Sequence, residues 1–257
     1  MIVVPGQATT VGDALACDRT VAATTTQAIT RAGLSIPRRS YARGPAMSNE
    51  PYAAVMSPFE FALAGLPEPP ARVLEVGAGD GELSRALAEA GYDVLAIDPE
   101  PRGEGVRALA LRDLEEPRGS FDAAIAVTSL HHVDPLDDSL RHLAELLAPG
   151  GALVVDEFDV GAFDEAAAEW WLRRRRELGA DEHKSAEQLV HEHRSHLHPV
   201  ERIVAELEPH FRVAAPVYGA YLYRWNLDES LRADEEAAIE RGEIPAVGAR
   251  FVAQRAR

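Results

Sequence analysis

The residues best placed to do chemistry are three glycines at alternate positions, Gly77, Gly79 and Gly81, with an acid on each side. Glu75 lies two residues before the first glycine, and Asp98 ends the apolar run Val-Leu-Ala-Ile. Glycines allow a backbone to turn tightly and to approach a ligand closely. A carboxylate about 20 residues beyond such a turn can accept hydrogen bonds from both hydroxyls of a ribose. The spacing therefore predicts a site for a cofactor that contains a nucleoside.

Two strands and a helix must position these residues. One apolar run, residues 73–76, precedes the glycines, and a second, residues 94–97, precedes Asp98. Between the runs, apolar residues recur at spacings of three and four, which predicts a helix with Gly91 at its C-terminal end. These residues are Leu83, Ala86, Leu87 and Ala90. Such a unit presents a ligand to a helix N-terminus beside the carboxyl end of a parallel sheet.

The charges at the turn indicate which cofactor would fit. The dinucleotide fingerprint G-x-G-x-x-G requires glycine or alanine at position 82, where this chain has Glu82. Asp80 and Glu82 would repel a pyrophosphate, although acids at a helix N-terminus suit its dipole when no anion binds there. S-adenosylmethionine fits better because it carries a sulfonium and an ammonium and has no phosphate.

The stretch resembles motif I of the class I S-adenosylmethionine-dependent methyltransferases of the small-molecule type, acidic-x-G-x-G-x-G. The resemblance implies that Glu75 lies near the methionine part of the cofactor and that Asp98 binds the ribose. It also suggests Asp113, after the third strand, as a contact of the adenine amino group, although a solvated turn acid is an equal alternative. The cofactor-binding residues expected on this basis are Glu75, Gly77, Ala78, Gly79, Gly81, Asp98, Pro99, Asp113, Leu114, Thr128 and Leu130.

Strand and helix patterns alternate from residue 72 to residue 158, which predicts a parallel sheet with both faces covered. The resemblance implies an α/β fold, a Rossmann-like, doubly wound, seven-stranded and mostly parallel sheet with helices on both faces. Further strands are expected at 106–111, 121–127, 152–155, 211–223 and 247–252, and further helices within 48–66, after Pro135, and at 165–178, 203–207 and 231–240.

The chain divides into four segments by composition. Residues 1–46 are rich in threonine and alanine without a clear period, and we expect a disordered extension, with a lid or a partner-binding arm as the alternative. Met47 starts more ordinary sequence, so translation from Met47 is a further hypothesis. Residues 47–160 are expected to form the cofactor-binding core, residues 161–200 a helical lid or substrate region, and residues 201–257 the remainder of the sheet.

Two histidines follow the fourth predicted strand, His131 and His132. Histidine is the natural base near neutral pH, and the resemblance places this loop beside the transferred methyl group. One of the two is therefore a candidate for a catalytic or substrate-binding role. The alternative is that both shape the pocket or form hydrogen bonds with the backbone.

Other polar clusters favour ordinary structural roles. The segment HEHRSHLH, residues 191–198, lacks two histidines at the i,i+4 spacing of a helical metal site, so no metal is expected. Four consecutive arginines, residues 173–176, have glutamates within one helical turn and indicate a solvated face. Tyr221 and Tyr223 would share one face of the strand expected at 211–223, where pocket lining and core packing are equally consistent.

Composition narrows the function further. The formal net charge of -16 disfavours binding to nucleic acid or to anionic membranes. The chain has one cysteine, no apolar run long enough for a bilayer and no basic, apolar start typical of a secretory signal, so a cytoplasmic protein is expected.

The nature of the acceptor is narrowed by two absences. The loop after the fourth strand lacks the Asn/Asp-Pro-Pro-Tyr/Phe motif of enzymes that methylate planar amines, and a single lysine, Lys184, rules out the Lys-Asp-Lys-Glu tetrad of RNA ribose methylation. We therefore expect an S-adenosylmethionine-dependent methyltransferase acting on an oxygen, nitrogen or carbon of a small molecule. The alternatives are a nucleotide-cofactor oxidoreductase of the NAD type and a non-catalytic cofactor-binding scaffold.

Overall fold

The computed structural model describes residues 56–256, in which one mixed sheet has helices on both faces. The helices are α1 (Pro58–Gly65), α2 (Glu82–Glu89), α3 (Leu136–Leu146), α4 (Glu165–Glu177), α5 (Ala186–His196), α6 (Val200–Leu207) and α7 (Arg232–Glu240). The strands are β1 (Arg72–Val76), β2 (Asp93–Asp98), β3 (Val106–Ala108), β4 (Phe121–Val127), β5 (Leu147–Phe158), β6 (Phe211–Val213), β7 (Val217–Gly219) and β8 (Gly248–Arg255). Short 3₁₀ turns cover Leu111–Asp113, Leu130–His132, Leu222–Arg224 and Glu229–Leu231.

The strand order β3-β2-β1-β4-β5-β8-β6 confirms the predicted Rossmann-like sheet. Strands β1 to β5 run parallel, and β8 is antiparallel to β5. The described residues contain eight strands rather than seven because the single strand expected at 211–223 is broken. Its two parts, β6 and β7, both pair with β8, and Pro216 lies between them. Proline cannot donate a ladder hydrogen bond, so an edge strand is where such a break is tolerated.

The two faces of the sheet have separate cores. Along β1, Leu74 and Val76 pack on one side with α3 and α6, whereas Val73 packs on the other with α1 and α2. This alternation follows from the two-residue period of a strand. Because both faces are covered, functional side chains can meet only at the ends of the strands, as in other doubly wound sheets.

A third core lies beyond the carboxyl end of β5 and contains six aromatic side chains. We call it the aromatic cluster: Phe158, Phe163, Trp170, Trp171, Tyr221 and Trp225. Trp171 stacks on Trp225 with ring centroids 4.3 Å apart, and its indole Nε1 donates a hydrogen bond of 2.7 Å to the Trp225 carbonyl. The expectation that Tyr221 and Tyr223 share one strand face was wrong, because the chain turns into a 3₁₀ helix there and Tyr221 stacks on Phe158.

Several predicted boundaries also differ. The third strand ends at Ala108 because the backbone turns into the 3₁₀ helix that starts at Leu111. Strand β5 begins at Leu147, directly after α3, five residues before the strand expected at 152–155, and residues 149–151 lie inside it. Helix α6 starts three residues earlier than predicted, at Val200, and β8 continues to Arg255.

Other predictions held. Gly91 follows α2 with φ +99°, as expected of a C-terminal glycine, and β4 has the predicted bounds. The predictions for residues 1–46 lie outside the described residues. None of the helices described is both long enough and apolar enough to span a bilayer.

Candidate functional site

A cavity of about 420 Å³ opens at the carboxyl ends of β1, β2 and β4. Eight of the residues predicted from the sequence line it: Glu75, Gly77, Ala78, Gly79, Asp98, Pro99, Thr128 and His132. This is the sheet edge where parallel α/β folds bind ligands. The described structure therefore brings the glycine turn, both acids and the loop after β4 to one site.

The glycine turn is packed against the loop after β4. The Gly77 amide donates to the Ile97 carbonyl at 2.9 Å, and Gly77 has φ +74°, a conformation that side chains disfavour. A Cβ atom added to Gly77 would lie 2.3 Å from Cβ of Ser129. Gly77 is therefore required both by its backbone conformation and by the lack of space.

Asp98 is held at the edge of the cavity by backbone amides. Its Oδ2 accepts a hydrogen bond from the Gly79 amide at 2.9 Å, and its Oδ1 accepts one from the Glu100 amide at 2.8 Å. The residue is 4% exposed. These bonds fix the direction of the carboxylate, which links the end of β2 directly to the glycine turn.

Glu75 is a buried acid with an altered proton affinity. The pKa of Glu75 is raised to about 7, mainly by burial, with the Ser84 hydroxyl hydrogen bond acting in the opposite direction and the nearby Asp80 carboxylate adding to the increase. A carboxyl group that is costly to ionise alone becomes favourable to ionise beside a cation. Glu75 can therefore bind a positively charged group at the centre of the cavity.

Thr128, at the end of β4, has an unusual backbone. Its φ is +52°, although it is a β-branched residue, and its amide donates to the Asp156 carbonyl at 2.7 Å. Residues in sparsely populated conformations cluster at functional sites. Next to it, the Ser129 hydroxyl donates to the Val76 carbonyl at 2.8 Å, which joins the loop after β4 to the end of β1.

The two candidate histidines have different surroundings. His131 is fully buried, and its Nδ1 contacts the carboxylate of Glu157 at 2.5 Å. The same carboxylate accepts the backbone amides of Ser129, at 2.9 Å, and of Leu130. His132 lines the cavity. The structure thus brings His132 to the cavity and places His131 in a buried pair that supports the loop.

Four of the predicted cofactor contacts do not line the cavity. Leu114 and Leu130 are buried in the core, Gly81 is the N-cap residue just before α2, and the Asp113 side chain is 59% exposed beside Arg112. The wall near β3 is formed instead by Leu109, Ala110, Leu111 and Arg112. A resemblance to a short motif could not show this, because the 3₁₀ turn after β3 determines which of these residues face inward.

Sequence reasoning missed an ionic group at the other end of the cavity. Arg224 lines the cavity, and its Nη1 donates to both carboxylate oxygens of Asp156, at 3.0 and 3.1 Å. Arg250 Nη2 donates to the same carboxylate at 2.9 Å. Burial alone would raise the pKa of Asp156, but the two guanidinium groups outweigh it and lower that pKa. No local pattern could reveal the group, since Arg224 and Asp156 are 68 residues apart.

The histidine-rich segment 191–198 does not converge on one point. The His193 Nδ1 contacts the Leu189 carbonyl at 2.8 Å within its own helix, and its ring packs beside Trp225. The His198 Nε2 contacts the Val133 carbonyl at 3.0 Å, which joins this segment to the loop after β4. Among the residues that the structure describes, no group of three or more His, Cys, Asp or Glu side chains could hold a metal ion.

Comparison with known proteins gives consistent relatives. The chain is 40% identical over 112 residues to a ubiquinone biosynthesis O-methyltransferase of Xanthomonas campestris, covering 37% of this chain and 46% of that protein. It is 36% identical over 98 residues to an uncharacterized methyltransferase of Mycobacterium tuberculosis, covering 34% and 40% of the two chains. The chain thus spans somewhat less than half the length of these curated relatives.

The fold also has solved counterparts. A candidate S-adenosylmethionine dependent methyltransferase from Listeria monocytogenes is similar with a TM-score of 0.52 and 15% identity, covering 77% of this chain and 96% of that one. At this identity the likeness concerns the fold alone. A family model described as a methyltransferase domain matches residues 51–194, more than half of the chain. The chain therefore belongs to the family of methyltransferase domains.

Proposed function

We propose that this protein transfers a methyl group from S-adenosylmethionine to an oxygen, nitrogen or carbon atom of a small molecule. The observation that carries the proposal is the meeting of Glu75, the glycine turn and Asp98 in one cavity. Its volume of about 420 Å³ lies within the range of roughly 300–1,000 Å³ found for small-ligand sites. The name of the Xanthomonas relative, a ubiquinone biosynthesis O-methyltransferase, supports a small-molecule acceptor.

The residues present fit this cofactor. Asp98, fixed by two backbone amides, would accept hydrogen bonds from the ribose hydroxyls. Glu75 would bind the positive charge of the methionine part, because a cation offsets the cost of its buried ionisation. The adenine would lie against the segment Leu109–Leu111, with Pro99 and the glycine turn completing the site.

When bound, the cofactor supplies an electrophilic methyl group on a sulfonium. The chain has to orient the acceptor in line with that methyl group and to exclude water. The loop after β4 is suited to this task because Glu157 and the Val76 carbonyl fix Ser129. His132 would accept the proton of an acceptor hydroxyl or amine, since its side chain lines the cavity and imidazole titrates near neutral pH.

Isothermal titration calorimetry with S-adenosylmethionine, S-adenosylhomocysteine and NAD tests the proposal. We expect the first two to bind and Asp98→Ala to weaken their binding at least about 30-fold, since a buried hydrogen-bonding carboxylate is lost. Asp93→Ala is the matched control, because Asp93 lies at the opposite end of β2 and its side chain is 79% exposed.

Each other outcome points to a different function. Binding of NAD alone would move the protein to the oxidoreductases. Binding of both adenosyl compounds without methylation of any compound in a metabolite extract would favour a cofactor-binding scaffold. Equal binding by wild type and Asp98→Ala would contradict the proposed site.

A further inference from the structure

We propose that Arg224 binds an acidic group of the methyl acceptor, so that the acceptor is an anion such as a carboxylic acid. This inference rests on the proposed function and narrows it to a substrate class. It depends on the position of Arg224 in the cavity, on the hydrogen bonds of its guanidinium and on the contacts that hold it in place.

The position of Arg224 follows from the strand order. The cavity lies at the ends of β2, β1 and β4, with Asp98 on β2 and Glu75 on β1, and β5 is the next strand along the same edge. Neighbouring strands are about 4.8 Å apart, so Asp156 on β5 lies about 10 Å from the β1 position and about 14 Å from the β2 position. Arg224 is bound to Asp156. It therefore lies at the end of the cavity away from the proposed ribose site, beyond the loop that holds His132.

The guanidinium of Arg224 has capacity to bind a further anion. Within residues 56–256, all of its hydrogen bonds come from Nη1 and go to Asp156, while the side chain also lines the cavity. Asp156 is itself shared with Arg250, so it offsets only part of the charge of Arg224. The planar guanidinium fork matches the two oxygens of a carboxylate.

Burial separates Arg224 from the two other arginines that line the cavity. The Arg224 side chain is 7% exposed, whereas that of Arg112 is 50% exposed and Arg102 is also exposed. Charges interact more strongly where water is excluded. An anion at the inner end of this cavity would therefore be bound by Arg224 rather than by either surface arginine.

The turn that carries Arg224 is rigidly held. The buried carboxylate of Glu235 accepts hydrogen bonds from three consecutive amides, those of Tyr221 at 2.7 Å, Leu222 at 2.9 Å and Tyr223 at 2.8 Å. The guanidinium also lies 5.1 Å from the ring centroid of Tyr221. A cation fixed in advance loses little conformational entropy when an anion binds, which favours a recognition role.

A carboxylate agrees with the charges of the whole cavity. Glu75, Asp98 and Asp134 also line it, so a doubly charged phosphate would meet more repulsion than a singly charged acid. The cofactor also has a carboxylate, on its methionine part, that could bind Arg224 in the same way. The experiment must distinguish an acid on the acceptor from this acid on the cofactor.

Calorimetry on protein saturated with S-adenosylhomocysteine provides the test. The probes are four acids, 2-hydroxybenzoate, 4-hydroxybenzoate, 3-phenylpropanoate and octanoate, each paired with its neutral amide. We expect at least one acid to bind about tenfold more tightly than its amide, since one charge-assisted bond contributes roughly 1.5 kcal/mol. Arg224→Gln should remove this preference. Arg224→Lys keeps a positive charge that can pair with Asp156, so it should retain part of the preference for the acid.

Arg141→Gln is the matched control, because Arg141 lies on the surface of α3, paired with Asp138. It should leave acid binding unchanged. The inference fails if no acid is preferred over its amide by protein that binds S-adenosylhomocysteine, or if Arg224→Lys and Arg224→Gln keep the full preference. It also fails if both Arg224 variants bind S-adenosylhomocysteine tenfold more weakly, since Arg224 would then bind the cofactor. Failure of wild type to bind S-adenosylhomocysteine would instead contradict the proposed function.

Discussion

The two ends of the cavity hold their central carboxylates in different ways. At one end, Asp98 is oriented by backbone amides, one of them from a glycine only 19 residues earlier. At the other end, Asp156 is held by two arginine side chains that are 68 and 94 residues away. The first end is therefore formed by backbone groups that are close in the sequence, and the second by side chains that are distant in the sequence.

This difference has a consequence for specificity. Backbone amides present the same groups whatever side chains surround them, so the end near Asp98 suits a ligand that many proteins share. Side chains brought together from separate elements can be exchanged without altering the sheet. Under our proposal, the end near Arg224 would determine which acceptor binds while the cofactor site stays unchanged.

The largest expected effect is at the end built from backbone. Gly77→Ala places a methyl group 2.3 Å from Cβ of Ser129 at a residue with φ +74°. Backbone strain and overpacking together cost about 3 kcal/mol, which the free protein relieves by moving the turn and which binding must restore, so we expect S-adenosylhomocysteine affinity to fall by up to roughly 100-fold, measured by calorimetry.

Gly105→Ala is the control for this change. Gly105 has φ +84°, but no atom lies within 4 Å of the added Cβ, so only the backbone cost remains. It should lower the thermal midpoint slightly and leave affinity unchanged. Equal loss of affinity in both variants would show that the glycine turn responds to general destabilisation rather than to its contact with Ser129.

The same difference explains what could be predicted from the sequence. The β1–α2–β2 unit was predictable because strand periodicity, glycine spacing and the acid at the strand end are all local signals. The alternation of strands and helices predicted a parallel sheet with both faces covered, and the resemblance to class I methyltransferases implied its doubly wound form. The contact of His132 rather than His131 with the cavity was not predictable, because it depends on Glu157, 26 residues from His131.

The limit of prediction from local sequence is clearer at residues 221–223. The tyrosines at 221 and 223 have the alternation of a strand, yet the backbone there turns because the buried Glu235 accepts three successive amides. No short-range pattern indicates that a glutamate of α7 controls this turn. Tertiary hydrogen bonds here override the local preference for a strand.

An intermediate effect is expected when the Glu235 carboxylate, which supports this turn, is removed. Glu235→Ala leaves the amides of Tyr221, Leu222 and Tyr223 without their acceptor and should lower the free energy of unfolding by about 3 kcal/mol, measured by urea titration. If the two ends of the cavity are independent, S-adenosylhomocysteine affinity at a temperature where the variant is folded should change less than about twofold.

Glu236→Ala is the neighbouring control. Glu236 forms an ion pair with Arg232 at 2.9 Å on the surface of α7, and such pairs contribute only about 0.5 kcal/mol. A tenfold loss of S-adenosylhomocysteine affinity in Glu235→Ala alone would show that the two ends of the cavity are coupled rather than independent.

The smallest effect concerns the proton on Glu75. Burial raises its pKa to about 7 from an ordinary value of 4.5, so the free protein is stabilised by the protonated form. This contribution is complete below about pH 4.5 and is lost as the pH rises through about 7, because the unfolded chain then holds fewer protons than the folded one. A bound cation instead favours the ionised form of Glu75. Binding of S-adenosylmethionine near pH 7 should therefore release up to about half a proton, measured by calorimetry in buffers of different ionisation enthalpy. Glu75→Gln should abolish the release of this proton. The control is Glu89→Gln, at the exposed end of α2, which should not affect it.

Equal proton release by wild type and Glu75→Gln would mean that another group supplies the proton and that Glu75 does not bind the cation.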